Sequence, residues 1–231
     1  MERLICNVCS GGKKWLPTPV TKLEAYLERL FDRRSNIPKT AGIRKNVAYN
    51  LQYLQYIHQS LSEFKNTSVI ITQSWKTSVI IGTSILEAIS YYLVLSRDLQ
   101  RCTVWVEQTR TSSNFSLDGE QYQLESIVSK KADVPIQVEM TFEQVIRRME
   151  DKKLLGPDHD IYKKMQFLRK LRNRVHLQLT DGAHDSDWTT FNANEINTLR
   201  EILYTILTGP LFTPSQDEEV YFEFLHMRAG T

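Results

Sequence analysis

Four residues near the end of one amphipathic segment have side chains that could act on a phosphodiester. Arg169, Arg172, Asn173 and His176 lie in "FLRKLRNRVHLQ", residues 167–178. A guanidinium binds phosphate oxygens through two hydrogen bonds and keeps its charge. An imidazole titrates near neutral pH and can give or take a proton. These residue types predict a site at which His176 moves a proton while an arginine stabilises negative charge on phosphate.

Their spacing suggests how the four side chains meet. The apolar residues of 161–179 recur at helical spacing, so we expect one helix over that whole range. On such a helix Arg172 and His176 lie one turn apart at the margin of the apolar face. Arg169 lies one heptad before His176 and falls on nearly the same side. Either arginine is therefore a candidate phosphate ligand, with Asn173 as a polar positioning residue.

A purely structural interpretation of the same residues is also open. A single histidine on a helix is more often an ordinary packed or surface residue than a catalytic one. Arg172 could pair with a carboxylate instead of a phosphate. Glu87 is the obvious partner, because it lies in the apolar stretch "SILEAISYY" and a buried acid needs a counter-ion. Under either interpretation we expect Glu87 to orient an arginine of the neighbouring helix.

The charges are distributed unevenly around this segment. Residues 161–180 contain six lysines and arginines and no acid, whereas residues 181–231 contain nine acids, although the net charge is only +2. A local basic patch attracts a polyanion whatever the overall charge. An RNA-binding face without catalysis, or a solvated helix face, would give the same pattern. The predicted substrate-binding residues are Lys163, Lys164, Lys170 and Arg174.

Length and composition predict one ordinary globular core. The chain has 231 residues, of which 41% are hydrophobic and 24% charged. Cys6, Cys9 and Cys102 are sparse and no signal-peptide pattern precedes them, which favours the cytoplasm. Cys6 and Cys9 supply only half of a zinc site. The most apolar run, residues 79–95, contains polar residues throughout, so we interpret it as a core helix rather than a membrane anchor.

No motif for a cofactor or metal stands out. The chain has no glycine-rich phosphate loop and no dinucleotide fingerprint, so we expect no cofactor. His159 and His184 lie beside aspartates in predicted loops, where turns and helix caps favour the same residue types. We therefore expect no metal site there.

The remaining patterns predict a mainly α fold with a small antiparallel β insertion. We expect four or five helices, with "TFEQ" as a capping box and Asp118-Gly119 as a hairpin turn. The predicted organisation is an N-terminal segment at 1–20, a helical domain at 21–210 and a tail at 211–231. Helical patterns lie at residues 21–31, 46–64, 69–99, 141–155, 158–179 and 192–208, and the last five lie within the four- or five-helix bundle that we expect. Predicted strands span 103–110, 122–130 and 135–140.

Three stretches, in order, resemble the HEPN superfamily (higher eukaryotes and prokaryotes nucleotide-binding domain), of the RiboL-PSP/MAE-like ribonuclease type. "LRKLRNRVHL" is similar to its R-x(4–6)-H signature, in which an Arg-Asn pair often precedes the histidine. "IIGTSILEAISYY" resembles the central helix, and "MTFEQVIRRMEDKKLLG" resembles the helix before the motif. Arg169, with six residues before His176, fits the signature, whereas Arg172, with three, is one residue too close.

The resemblance implies an up-down helical bundle that forms a homodimer and joins two copies of the motif. Catalytic members of the family are metal-independent endoribonucleases, and many act as toxins or in phage defence. The resemblance therefore implies RNA as substrate, with a cognate antitoxin or partner protein. Other members serve as dimerisation or nucleotide-binding modules, and this alternative stays open here.

Overall fold

The computed structural model describes residues 15–32, 36–177, 182 and 185–226. These residues form a mainly helical fold with one two-stranded antiparallel sheet, as the composition and periodicity predicted. Cys6, Cys9 and His184 lie outside the described residues. The helices are α1 (Val20–Leu27), α2 (Thr40–Glu63), α3 (Ser68–Ser96), α4 (Phe142–Asp151), α5 (His159–Arg172), α6 (Asp187–Thr190), α7 (Ala193–Thr208) and α8 (Gln216–Glu219), and the strands are β1 (Cys102–Leu117) and β2 (Glu120–Gln137).

Helix α3 is the centre of the fold, and α2, α4, α5 and α7 all pack against it. It is long and apolar enough to cross a membrane, but 61% of its most apolar stretch is buried inside the fold. That burial agrees with the interpretation of residues 79–95 as a core helix. Gly82 allows α7 to come close, because a Cβ atom at this position would lie 2.6 Å from Cδ2 of Leu199.

The cap of helix α4 confirms a sequence prediction. The Thr141 hydroxyl accepts from the Gln144 amide at 3.3 Å, and the Gln144 side chain accepts from the Thr141 amide at 3.0 Å, which is the predicted capping box of α4. The side chain of Asn192 caps α7 in the same way. Helix α4 nevertheless ends at Asp151, before the predicted end near 155, and Gly156 turns the chain at φ 105°.

The β insertion is one long hairpin, so the prediction of three short strands is wrong in detail. Asp118 and Gly119 form the tip with φ values of 52° and 85°, the left-handed conformations that a type I′ turn requires. Residues 135–137 of the predicted strand at 135–140 are instead the end of β2, and residues 138–140 lie outside the strand. Two of the predicted strands are joined into β2 by a bulge. Trp105 pairs with Lys131 but Thr103 pairs with Ile136, so β2 has extra residues between these two pairs and continues past them.

The segment after α7 belongs to the core. Within the predicted tail at 211–231, residues Val220–Leu225 form a 3₁₀ helix that docks on the core. Phe222 and Phe212 are fully buried, and the Phe212 ring stacks on Tyr26 at 5.4 Å. The Tyr26 hydroxyl donates to the carbonyl of Leu207. The C-terminal segment therefore covers the apolar face of α1.

Candidate functional site

The end of the motif helix differs from the prediction. Helix α5 stops at Arg172, residues 173–175 form a 3₁₀ turn, and His176 has extended backbone angles of φ −83° and ψ 107°. Arg172 and His176 therefore do not share one helical face, and the expected i,i+4 geometry is wrong. Val175, one of the apolar residues at helical spacing that predicted a continuous helix, is 50% exposed. Asn173 and His176 are also exposed, so both side chains can be reached from solvent.

Glu87 on α3 contacts Arg172 at the end of α5, as the sequence led us to expect. The contact joins Oε2 of the glutamate to Nη1 of the guanidinium. About one third of each side chain is exposed, so Glu87 is not the buried acid that the apolar stretch suggested. A guanidinium has five N–H donors, so one carboxylate contact leaves others to face solvent. The contact fixes the position of Arg172 against the central helix.

Arg169 faces a different part of the fold. Its Nη2 atom lies 3.1 Å from Oε2 of Glu143 on α4, and its Nε atom donates to Gln166 at 3.0 Å. The expected alignment of Arg169 with His176 required a continuous helix, and that helix ends before His176. Of the two candidate arginines, the structure therefore places Arg172 next to the Asn173 turn and directs Arg169 toward α4.

The four predicted substrate-binding residues fall into two groups. Lys164 lies 2.7 Å from Glu201 and 2.9 Å from Asp160, and its hydrogen bonds to these two carboxylates raise its pKa. Arg174 lies 2.5 Å from Asp185 and 3.3 Å from the hydroxyl of Thr190. The other two residues are exposed and form no ion pair with any residue in the described part of the chain; they are Lys163 and Lys170.

A second ion pair holds the chain that follows the motif, and sequence reasoning missed it. The Lys76 amine on α3 lies 2.9 Å from both carboxylate oxygens of Asp187, and Gln73 donates to the same carboxylate at 3.0 Å. Burial raises the pKa of Asp187, but the hydrogen bonds from Gln73 and Lys76 outweigh it, and the pKa falls below its ordinary value. The signal in the sequence was Lys76 itself, since a lysine in an apolar helix needs a counter-ion.

A large open cavity among the described residues lies away from the motif. It has a volume of about 810 Å³, is lined by residues of α2, α3, α7 and the C-terminal segment, and includes none of the motif residues. In its wall Nη2 of Arg200 lies 3.0 Å from Nδ1 of His58, and burial lowers the pKa of Arg200. The candidate site is therefore an exposed surface at the end of α5 rather than an enclosed pocket.

The histidine at the other end of α5 has a structural contact. Nδ1 of His159 lies 2.8 Å from Glu150, and the side chain is 59% exposed. Within the ranges that the structure covers, no group of three or more His, Cys, Asp or Glu side chains is placed to hold a metal ion.

Comparison of the chain with family models, with curated proteins and with solved structures gives no match.

Proposed function

We propose that the protein is a HEPN-like, homodimeric endoribonuclease of toxin or antiviral-defence type that cleaves RNA without a metal ion. The observation that carries the proposal is the arrangement at the end of α5. Glu87 of the central helix contacts Arg172, and Asn173 and His176 lie exposed directly beyond it. A positioned guanidinium and an accessible imidazole four residues further along the chain could supply charge stabilisation and proton transfer.

In the proposed reaction the ribose 2′-hydroxyl attacks the adjacent phosphorus, and the bond to the 5′-oxygen breaks. A base must take the 2′-proton and an acid must protonate the leaving oxygen, which gives a 2′,3′-cyclic phosphate and a 5′-hydroxyl. One imidazole cannot hold both protonation states at once. A homodimer that joins two motifs would supply one His176 as base and the other as acid.

Arg172 is assigned to the phosphate and Asn173 to orientation of the substrate. The N–H groups of Arg172 that do not face Glu87 can bind the non-bridging phosphate oxygens, where negative charge increases in the transition state. The exposed lysines Lys163 and Lys170 would bind phosphates along the strand. A cognate antitoxin or partner protein would act by covering this surface.

A non-catalytic HEPN module that dimerises and binds nucleotide or RNA is the second candidate function. The observation that favours it is the neutralisation of the basic segment within one chain. Arg169, Arg174 and Lys164 each lie within 3.1 Å of a carboxylate. These ion pairs leave fewer charges for a polyanion than the sequence suggested.

The deciding experiment incubates the purified protein with end-labelled RNA of mixed sequence in EDTA. His176→Ala is compared with His159→Ala, which removes an exposed histidine from the other end of the same helix. We expect cleavage by the wild type and by His159→Ala, with 2′,3′-cyclic phosphate ends, and a loss of about 10²- to 10⁴-fold in His176→Ala. Equal cleavage by both variants would overturn the assignment. No cleavage by a folded wild type, with RNA binding retained, would favour the non-catalytic module.

A second comparison decides between the two arginines. We expect Arg172→Gln to reduce cleavage by about 100-fold or more, as loss of a transition-state donor does elsewhere. We expect Arg169→Gln to have a small effect, because its guanidinium faces Glu143. The reverse order of effects would assign the phosphate to Arg169.

A further inference from the structure

The β hairpin is a long arm that the helices do not cover. From Glu107 to Leu117 in β1, and from Glu120 to Lys131 in β2, every residue is exposed. An isolated two-stranded hairpin is only marginally stable in water. It becomes stable when a third strand is added or when one of its faces packs against another element. A hairpin of this length therefore calls for a partner that packs on it.

The two faces of the hairpin differ sharply in polarity. Phe115 and Tyr122 pair directly across the strands, and their rings stack at 5.7 Å. Side chains two residues apart share a face. We define the apolar face by its large side chains, which are between 46% and 62% exposed: Phe115, Leu117, Tyr122, Leu124 and Val128. Small hydroxyl residues fill the positions between them.

The opposite face is polar, and several of its charges are already paired. Arg110 lies 3.1 Å from Glu107 and 3.6 Å from Glu125. The large apolar side chains on this polar face are Ile127 and, nearer the helices, Trp105. The difference between the faces points to a partner on one side of the arm only.

The charges on the apolar face identify that partner. The strand alternation places two charged side chains there, Glu120 beside the tip and Lys130 ten residues further along β2. If two arms stack face to face in opposite directions, Glu120 of each protomer meets Lys130 of the other. The same operation places Tyr122 over Val128. A surface that is complementary to itself under a two-fold rotation is what a symmetric dimer requires.

We propose that the apolar face of the hairpin binds the same face of a second copy of this chain, in a two-fold arrangement that pairs Glu120 with Lys130. We favour contact through the face over pairing through the strand edges. In the part of β2 nearest the helices, Lys130, Lys131 and Pro135 discourage edge-to-edge association. This arm contact is distinct from the interface that would join the two motifs, and it stands whether or not the protein cleaves RNA.

The size of the contact predicts its strength. Ten residues of strand extend about 33 Å, and a two-stranded ribbon with its side chains is about 10 Å wide, which gives a footprint of a few hundred Å² per protomer. Stable interfaces bury roughly 800 Å² per partner. We therefore expect the arm contact to be reversible and to dissociate on dilution.

Sedimentation velocity from about 1 to 200 µM, in EDTA without RNA, measures the self-association. We expect a concentration-dependent association step, from monomer to dimer or, where the motifs already join two protomers, from dimer to tetramer. Phe115→Ser/Leu124→Ser should weaken this step at least tenfold. Ile127→Ser, an equally exposed change on the opposite face, should leave it unchanged. A wild type whose association state does not change with concentration, or an apolar-face variant that associates like the wild type, would overturn the proposal.

A charge exchange tests the arrangement without changing an apolar residue. Glu120→Lys alone and Lys130→Glu alone each place like charges opposite one another twice per dimer, so each should weaken association several-fold. Both changes in one chain restore the pairs and should restore association at low salt. Failure of the double variant to recover would overturn the two-fold pairing.

Other occupants of the apolar face give different results. If the wild type is monomeric but sediments with vesicles of phosphatidylcholine and phosphatidylglycerol, and the apolar-face variant does not, the face binds lipid and the proposal is wrong. If the wild type is monomeric and the same variant loses only RNA binding, the face binds RNA. His176→Ala should dimerise like the wild type, which separates this proposal from the proposed cleavage.

Discussion

Replacing Glu87 by glutamine tests whether its contact with Arg172 matters to function more than to stability. The substitution keeps the size of the side chain and removes its charge, so Arg172 loses its ionic partner on α3 while the packing of that helix is retained. If Glu87 orients the guanidinium toward a phosphate, RNA cleavage should fall much more than stability does.

The exposure of the pair sets the expected loss of stability. Solvent reaches 35% of the Arg172 side chain and 33% of the Glu87 side chain, so water screens the attraction. Ion pairs of this kind contribute about 0.2–1 kcal/mol to the free energy of unfolding. For a chain of 231 residues, 1 kcal/mol corresponds to about 2–4 °C in Tm. We therefore expect Glu87→Gln to lower Tm by no more than about 4 °C.

Urea unfolding and the RNA cleavage rate are measured on the same preparations. Glu218→Gln is the control, because Glu218 forms a partly exposed ion pair with Arg29 at 2.8 Å, away from the motif. A glutamine there can still accept from the Ser215 amide that caps α8. We expect both variants to lose similar stability and only Glu87→Gln to lose at least tenfold in cleavage, which is 1.4 kcal/mol. A loss of 3 kcal/mol or more in stability would show that the pair behaves as a buried ion pair. Cleavage at the wild-type rate would refute the orienting role.

Three further predictions concern packing, pH and RNA binding. Overpacking against Leu199 costs about 1–3 kcal/mol and removing a helical glycine returns about 1 kcal/mol, so Gly82→Ala should destabilise the wild type by up to about 2 kcal/mol in urea. In a Leu199→Ala background, Gly82→Ala should increase the free energy of unfolding. If it is still destabilising there, the close approach of α7 to Gly82 is contradicted. The lowered pKa of Asp187 means that its carboxylate stabilises the fold above the ordinary carboxyl pKa and that this contribution is lost as pH falls through the lowered pKa. The stability difference between wild type and Asp187→Asn should therefore shrink on acidification, and a difference independent of pH would refute the assignment. Lys163→Gln should lower the slope of log K against log salt for single-stranded RNA by about 0.7, whereas Lys164→Gln, whose amine already lies between two carboxylates, should change it little; equal effects would show that those ion pairs open on binding.

The features that were predicted best are those whose interacting residues lie within a few positions of one another in the sequence. The Thr141 capping box depends on the side chains of Thr141 and Gln144, and the Asp118-Gly119 turn depends on residue types that favour positive φ values. Both can therefore be predicted from neighbouring residues in the sequence. The extent of α3 was also close, because an apolar run of that length can be satisfied only by burial. The contact between Glu87 and Arg172 followed from the rule that an acid in an apolar helix needs a partner.

The end of α5 could not be predicted in this way. No glycine or proline follows Arg172, and the apolar spacing continues through Val175, so local propensity favours a longer helix. In the fold Arg174 pairs with Asp185, and Asp187 pairs with Lys76 on α3. These contacts between distant residues accompany the turn that separates His176 from the helix.

The sequence by itself determined the mainly helical class, the positions of the caps and the hairpin turn, and the residue types able to bind phosphate and move a proton. Tertiary structure decided which arginine faces Glu87, which basic residues are neutralised, and that three short strands become one exposed hairpin. The physical reason is that caps and turns depend on neighbours along the chain. Ion pairs and strand register depend on residues that only the folded chain brings together, and periodicity carries no record of them.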